Sequence, residues 1–254
     1  MKIDFGKTAC DYAVYRAGFP EVLFERLAGF GIGRRGERIL DLGTGTGTLG
    51  RGFARRGCDV TGLDPSTELL EQARAIDRAA GLDTIYVVAR AEDTIFRDQC
   101  FDVVGAGQCW HWFDRPRAAS EARRILVAKG RLVIAYFDWI PLPGNVVEAT
   151  EKLIEHHNSA WKFGGGNGIH PQFLHDVAVA GFCDIETFSV DLDVPYSHEA
   201  WRGRIRASAG MGASLSPDRV AQFDRALESM LRERFPDDPL KAFHRLFAIV
   251  CRAP

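Results

Sequence analysis

What this chain does not contain narrows its chemistry first. None of its six cysteines, Cys10, Cys58, Cys100, Cys109, Cys183 and Cys251, forms a C-x-x-C pair. Scattered in this way they offer neither a zinc site nor a disulfide framework, and they read as the reduced thiols of a cytoplasmic protein. No apolar run approaches the ~18 residues of a membrane span, and the first residues lack a charged-then-apolar signal pattern. A soluble chain with no membrane partner is therefore expected. Charge of one sign is missing too: 32 basic against 34 acidic residues leave a net charge of −2. There is no basic stripe and no N-P-P-Y-like loop, so no nucleic-acid partner is expected. Internal repeats and low-complexity stretches are absent. No metal is expected either, because His156 and His157 are neighbours on a predicted helix and adjacent helical positions face different ways.

What is present is an alternation. ERILDL, DVTGLD, TIYVVA, DVVGAG and RLVIAYF are short apolar runs that read as strands. TLGRGFARRG, STELLEQARAIDRAAG and PRAASEARRILVA between them read as amphipathic helices. This β-α-β-α pattern predicts an α/β fold with a mostly parallel sheet and helices on both faces. Gly57, Gly81 and Gly130 are placed as helix-terminating glycines, and Ser66 as the N-cap of the helix that follows it. After Tyr136 the alternation loosens: Pro141 and Pro143 break the chain, and KFGGGNGIHP reads as a glycine-rich loop. The 254 residues allow one or two domains.

The densest signal is LDLGTGTG followed by LDPS. An apolar strand ends in an acid, turns through closely spaced glycines and opens a helix, and a second strand ends in Asp64 about twenty residues later. That arrangement suits an adenosine-bearing cofactor: backbone amides approach one end closely, and a carboxylate accepts from the ribose hydroxyls. Gly45, Gly47 and Gly50 formally match the dinucleotide spacing, which keeps an NAD-type oxidoreductase as an alternative. Asp41, however, stands at the mouth of the loop, where its charge would repel a pyrophosphate. The same charge suits the ammonium and sulfonium of S-adenosylmethionine.

LDLGTGTG, LDPS, ARAEDTIF, GQCWHWFD and EARRILVAKGRLVI, in that order from about Ile39 to Ile134, resemble the class I S-adenosylmethionine-dependent methyltransferases. Within them the closest likeness is to the small-molecule group that includes trans-aconitate and ubiquinone/menaquinone methyltransferases. The resemblance implies a Rossmann-like seven-stranded sheet, in which CDIETFSVDLDV and KAFHRLFAIVCR complete an antiparallel edge. A single domain over residues 1–254 is expected, with an N-terminal lid helix in 1–30, the core in 36–192 and 240–254, and a helical cap inserted at 195–238.

The resemblance also implies roles. Gly43, Thr44 and Gly45 would lie against the methionine part of the cofactor, and Asp41 would be a counter-charge for its ammonium, a structural acid for the loop amides, or both. Asp64, followed by Pro65, would hold the ribose. Ala91 and Glu92 would meet the adenine, although Arg90 stands where relatives often place an aspartate. Ala128 likewise stands where relatives have a turn proline. Gln108 and the Cys109 backbone would contact the methionine moiety. Tyr12 and Arg16 belong to a segment that folds over the cofactor in these enzymes, with packing on the sheet edge as the alternative. Trp110 and Trp112 offer flat walls to a sulfonium, and His111 is either a proton acceptor or an orienting residue. Trp139, His170 and Trp201, with Trp161 and Met211, are candidates to line an acceptor cavity. The expected reaction is methyl transfer by in-line displacement to an oxygen, nitrogen or carbon of a small organic acceptor, releasing S-adenosylhomocysteine. A non-catalytic S-adenosylmethionine-binding module is the remaining alternative.

Overall fold

The computed structural model describes residues 18–208, 210–212 and 214–254. The first described element is helix α1 (Glu21–Gly29), which buries Leu23, Phe24 and Leu27. Strand β1 (Arg38–Leu42) is buried from Ile39 onward, as expected of a strand covered on both faces. It leads through the glycine turn into α2 (Thr48–Ala54), then β2 (Asp59–Asp64), α3 (Thr67–Ala79) and β3 (Ile85–Val88). Strand β4 (Phe101–Gly107) is followed by a one-turn helix over Trp110–Trp112, α4 (Arg115–Ile125) and β5 (Leu126–Trp139). Beyond these lie α5 (Val146–His157), α6 (Gln172–Val179), β6 (Cys183–Tyr196), α7 (His198–Arg206), α8 (Pro217–Arg234) and β7 (Leu240–Arg252).

The seven strands form one sheet in the order β3-β2-β1-β4-β5-β7-β6. Strands β1 to β5 run parallel, with Leu42 opposite Leu63 on one side and Ala106 on the other. The sheet is mixed, its β6–β7 edge bringing in the antiparallel direction. Strand order reverses between β1 and β4, and the loops after β1, β2 and β4 leave from the carboxyl ends beside that switch point, where open α/β sheets bind their ligands.

Local signals set most boundaries. The Ser66 hydroxyl accepts from the Leu69 amide at the start of α3, and Gly57 and Gly81 take the left-handed conformation after α2 and α3. Gly130 does not end a helix as expected. Helix α4 stops at Ile125, and Leu126 already opens β5. Pairing slips between Phe101 and Val103, so Lys129 (φ 64°) and Gly130 form a bulge inside the strand. A Cβ on Gly130 would stand 2.9 Å from the Val127 carbonyl oxygen, so glycine is needed there for space and not for a helix cap.

The described chain divides into two compact units. One comprises Ala17–Phe137, His170–Ser189 and Phe247–Pro254 and holds the parallel strands. The other includes Asp138–Ile169 and Val190–Leu246. It therefore draws in α5 as well as the 195–238 segment expected to form a cap. Within it, α7 is tied to α8 through Arg202 and Arg206, both hydrogen-bonded to Asp224. No described helix is long and apolar enough to cross a membrane.

Candidate active site

The turn after β1 is built around Asp41. Its carboxylate is buried, and Oδ2 accepts from the Thr44 hydroxyl at 2.7 Å and the Gly50 amide at 2.9 Å. Oδ1 is buried with no hydrogen-bond partner among the described residues. One oxygen thus does the structural work while the other is an orphan acceptor, an arrangement that costs free energy unless a donor arrives. Burial, outweighing the two hydrogen bonds, pushes Asp41 up to about 6. The Gly50 amide is engaged by Asp41, so the third glycine of the dinucleotide-like triplet offers its N–H to a side chain and not to a pyrophosphate.

Gly43 and Gly45 both sit in the left-handed region, at φ 59° and 56°. Their surroundings differ. A Cβ on Gly43 would meet the Phe113 ring at 3.0 Å and Cys109 Sγ at 3.1 Å, whereas a Cβ on Gly45 would project into open space. Gly43 therefore lets the loop after β4 close on the turn, and Gly45 leaves a bare peptide exposed to whatever enters. The Cys109 thiol donates to the Leu42 carbonyl at 3.1 Å, fastening the two loops.

At the tip of β2, Asp64 Oδ2 accepts from the Gly45 amide at 3.0 Å and Oδ1 from the Ser66 amide at 2.9 Å. Burial raises its pKa while these two bonds oppose the rise. Each oxygen keeps a lone pair beyond its amide bond, so paired hydroxyls can still be accepted. Pro65 beside it is exposed. After β3, Ala91 is buried, and Glu92 is held on two sides, its Oε1 accepting from the Asp114 amide at 2.9 Å and its Oε2 lying 3.4 Å from Arg90. Arg90, which departs from the relatives' aspartate, thus positions Glu92.

Gln108 is left-handed at φ 61°; its amide N–H donates to Ala135 and its side chain donates to Phe137 at 3.2 Å. Trp110 is fully buried, and its indole N–H donates to Asp176 at 3.1 Å. Trp112 is 45% exposed, so of the two flat walls expected here it is the one that reaches the surface. The His111 amide donates to the Tyr136 hydroxyl at 3.1 Å, and His111 Nδ1 lies 2.7 Å from the same oxygen. If the hydroxyl proton occupies that short contact, a neutral His111 carries its own proton on Nε2 and presents a donor. His170 lies against Tyr136 and stacks on Phe173 with ring centroids 5.3 Å apart.

In the second unit, Trp139 donates to Glu151 at 2.8 Å and Trp201 to Thr150 at 3.0 Å, their rings meeting edge-on at 5.7 Å. Trp161 and Met211 are buried in this unit. Tyr12 and Arg16 lie outside the described residues. Among the described residues no cluster of three or more His, Cys, Asp or Glu could hold a metal.

Sequence reading missed a buried clamp beneath the glycine turn. Arg51 Nε donates to Asp77 at 2.5 Å and Nη2 to the Thr46 carbonyl at 2.8 Å, while Tyr86 donates to the other Asp77 oxygen at 2.6 Å. A signal was available: Leu70, Ala73 and Asp77 follow helical spacing on α3, which puts an acid on an apolar face.

Residues 40–134 match the methyltransferase domain family. An uncharacterized methyltransferase of Mycobacterium tuberculosis is 34% identical over 136 residues, 54% of this chain and 53% of that protein, so the chain spans about half the length of that relative. A malonyl-[acyl-carrier protein] O-methyltransferase of Geobacter sulfurreducens is 30% identical over 246 residues, covering 91% of this chain and 89% of the relative. The solved phosphoethanolamine N-methyltransferase 2 of Haemonchus contortus, in complex with S-adenosyl-L-methionine, shares the fold with a TM-score of 0.58 at 23% identity, over 98% of this chain and 57% of that one.

Proposed function

The chain belongs to the class I S-adenosylmethionine-dependent methyltransferases, and from that premise we propose that it transfers a methyl group from S-adenosylmethionine to an oxygen, nitrogen or carbon of a small organic acceptor. The observation that carries the reading is the buried Asp41 Oδ1, without a partner among the described residues, beside a glycine turn with open space at Gly45. An acceptor atom left unsatisfied in the core is matched by an ammonium donor, and the bare turn has room for the chain that bears it.

Bound S-adenosylmethionine supplies a methyl carbon activated by a cationic sulfur. The protein must hold the cofactor, hold a nucleophile in line about 3 Å from that carbon, and exclude water. Asp41 takes the ammonium, and Gly43, Thr44 and Gly45 take the amino-acid chain. Asp64 accepts from the ribose hydroxyls, with Pro65 against the sugar. Ala91 and Glu92 border the adenine, and Gln108 and Cys109 complete the methionine side. Trp112 would offer its face to the sulfonium, and Trp110, fully buried and bonded to Asp176, holds the loop after β4 in place. His111, oriented by Tyr136, donates a hydrogen bond to the acceptor or receives its proton, and His170 contributes apolar surface beside it; Trp139 and Trp201 remain assigned to the acceptor on sequence reasoning alone. Tyr12 and Arg16 remain assigned to the cofactor on sequence resemblance alone.

Calorimetric titration with S-adenosylhomocysteine, with NAD as the control, tests the cofactor. Label transfer from S-adenosylmethionine across an acceptor panel tests the reaction. Saturable uptake of the homocysteine product with none of NAD is expected; no uptake would overturn the proposal, and uptake without transfer would favour a binding module.

A further inference from the structure

Helix α7 carries three arginines with unlike surroundings. Arg202 and Arg206, four residues apart, share one face of the helix, and both meet Asp224 and Glu199. Arg204, two residues from each, points elsewhere. Its guanidinium carbon lies 4.8 Å over the Trp139 ring, and the nearby Tyr196 and Asp138 side chains favour its charge. Among the described residues no carboxylate comes within 4.0 Å of it. Its loss of water nevertheless outweighs these supports and lowers its pKa. Nearby His244 is buried and pushed down to about 4, first by that burial and further by Arg204, so it is neutral at physiological pH and adds no charge of its own.

A guanidinium drawn out of water with no acidic partner among the described residues is unfavourable, and arginines so placed are usually paired. The platform beneath it is rigid. Trp139 is pinned by Glu151 and set edge-on against Trp201, which is itself held by Thr150. A guanidinium stacked on an aromatic face keeps its in-plane N–H groups available, and their fork matches two carboxylate oxygens. A single cation with Arg202 and Arg206 already neutralised suits a monoanion better than a phosphate dianion.

We propose that Arg204, laid on Trp139 within the second unit, is a recognition site for the carboxylate of a small organic molecule.

The test is a panel of matched acids and primary amides, from short dicarboxylate half-esters to aryl carboxylates. Each is titrated calorimetrically against the protein with and without saturating S-adenosylhomocysteine. At least one acid is expected to bind tenfold or more tightly than its amide. Arg204→Gln should erase that preference, and Arg204→Lys, which keeps the charge but loses the fork, should retain part of it. Unchanged S-adenosylhomocysteine affinity in both variants controls for folding. Equal binding of acids and amides, no binding of either, or an acid preference that survives Arg204→Gln would each overturn the inference. Loss of S-adenosylhomocysteine uptake by the unsubstituted protein would instead overturn the methyltransferase reading, while the titrations without it still report on Arg204.

Discussion

Asp41 and Asp64 end neighbouring parallel strands, and burial pushes both toward the neutral form. A ligand that brings an ammonium to one and hydroxyls to the other favours the ionised forms. Asp64→Ala should therefore lower S-adenosylhomocysteine affinity by one to a few powers of ten, since a hydrogen bond to a charged group is worth roughly 1.5–3 kcal/mol; calorimetry reads it directly. The pH dependence has a definite sign. Asp41 titrates near 6 in the folded protein against an ordinary 3.8. Without ligand, its contribution to stability falls as pH rises through that window, because the unfolded chain releases the proton first. A bound cation prefers the carboxylate, so affinity should rise with pH through about 6 and level off above, with proton release visible as a buffer-dependent enthalpy. Asp64 shifts in the same sense and adds to the slope. Asp41→Asn should flatten the part due to Asp41. Both acids were legible in the sequence because each closes an apolar run; the orphan oxygen was not, because it depends on where Thr44 and Gly50 direct their donors.

At the level of elements, the glycine turn is supported from below. Arg51 on α2, Asp77 on α3 and Tyr86 on β3 join three segments into one buried hydrogen-bonded group. Gly62 on β2 makes room for it, since a Cβ there would stand 2.7 Å from the Tyr86 ring. Asp77→Asn leaves Arg51 buried without its counter-charge and should cost about 3–5 kcal/mol, read as a lower urea midpoint with little change in slope. The alternation of strands and helices up to Tyr136 was legible because each βα step is local. The β5 bulge was not, because the mismatch that creates it lies in the pairing with β4, which no single segment encodes.

For the whole molecule, a ligand that binds only the folded form at a hundred times its dissociation constant adds about 2.7 kcal/mol. For a chain of this size S-adenosylhomocysteine should then raise the melting temperature by roughly 5–10 °C, with NAD producing no shift in a thermal scan. The class of fold was legible from the order of short runs. The composition of the second unit was less so, because its described part gathers two stretches separated by α6 and the start of β6, and a linear reading saw only the later one.

The two ends of the sheet are guarded differently. Strand β3 offers only four residues, too few to template a foreign strand. Strand β6 is fourteen residues long; Glu186 and Asp193 are exposed along it, Asp184 and Asp191 pair with Arg252 and Arg245 of β7, and Pro195 lies near its end. A second molecule trying to zip onto that border would bring carboxylate against carboxylate and meet a residue with no amide hydrogen to share. The long rim is thereby protected from fibrillar growth by like-charge repulsion.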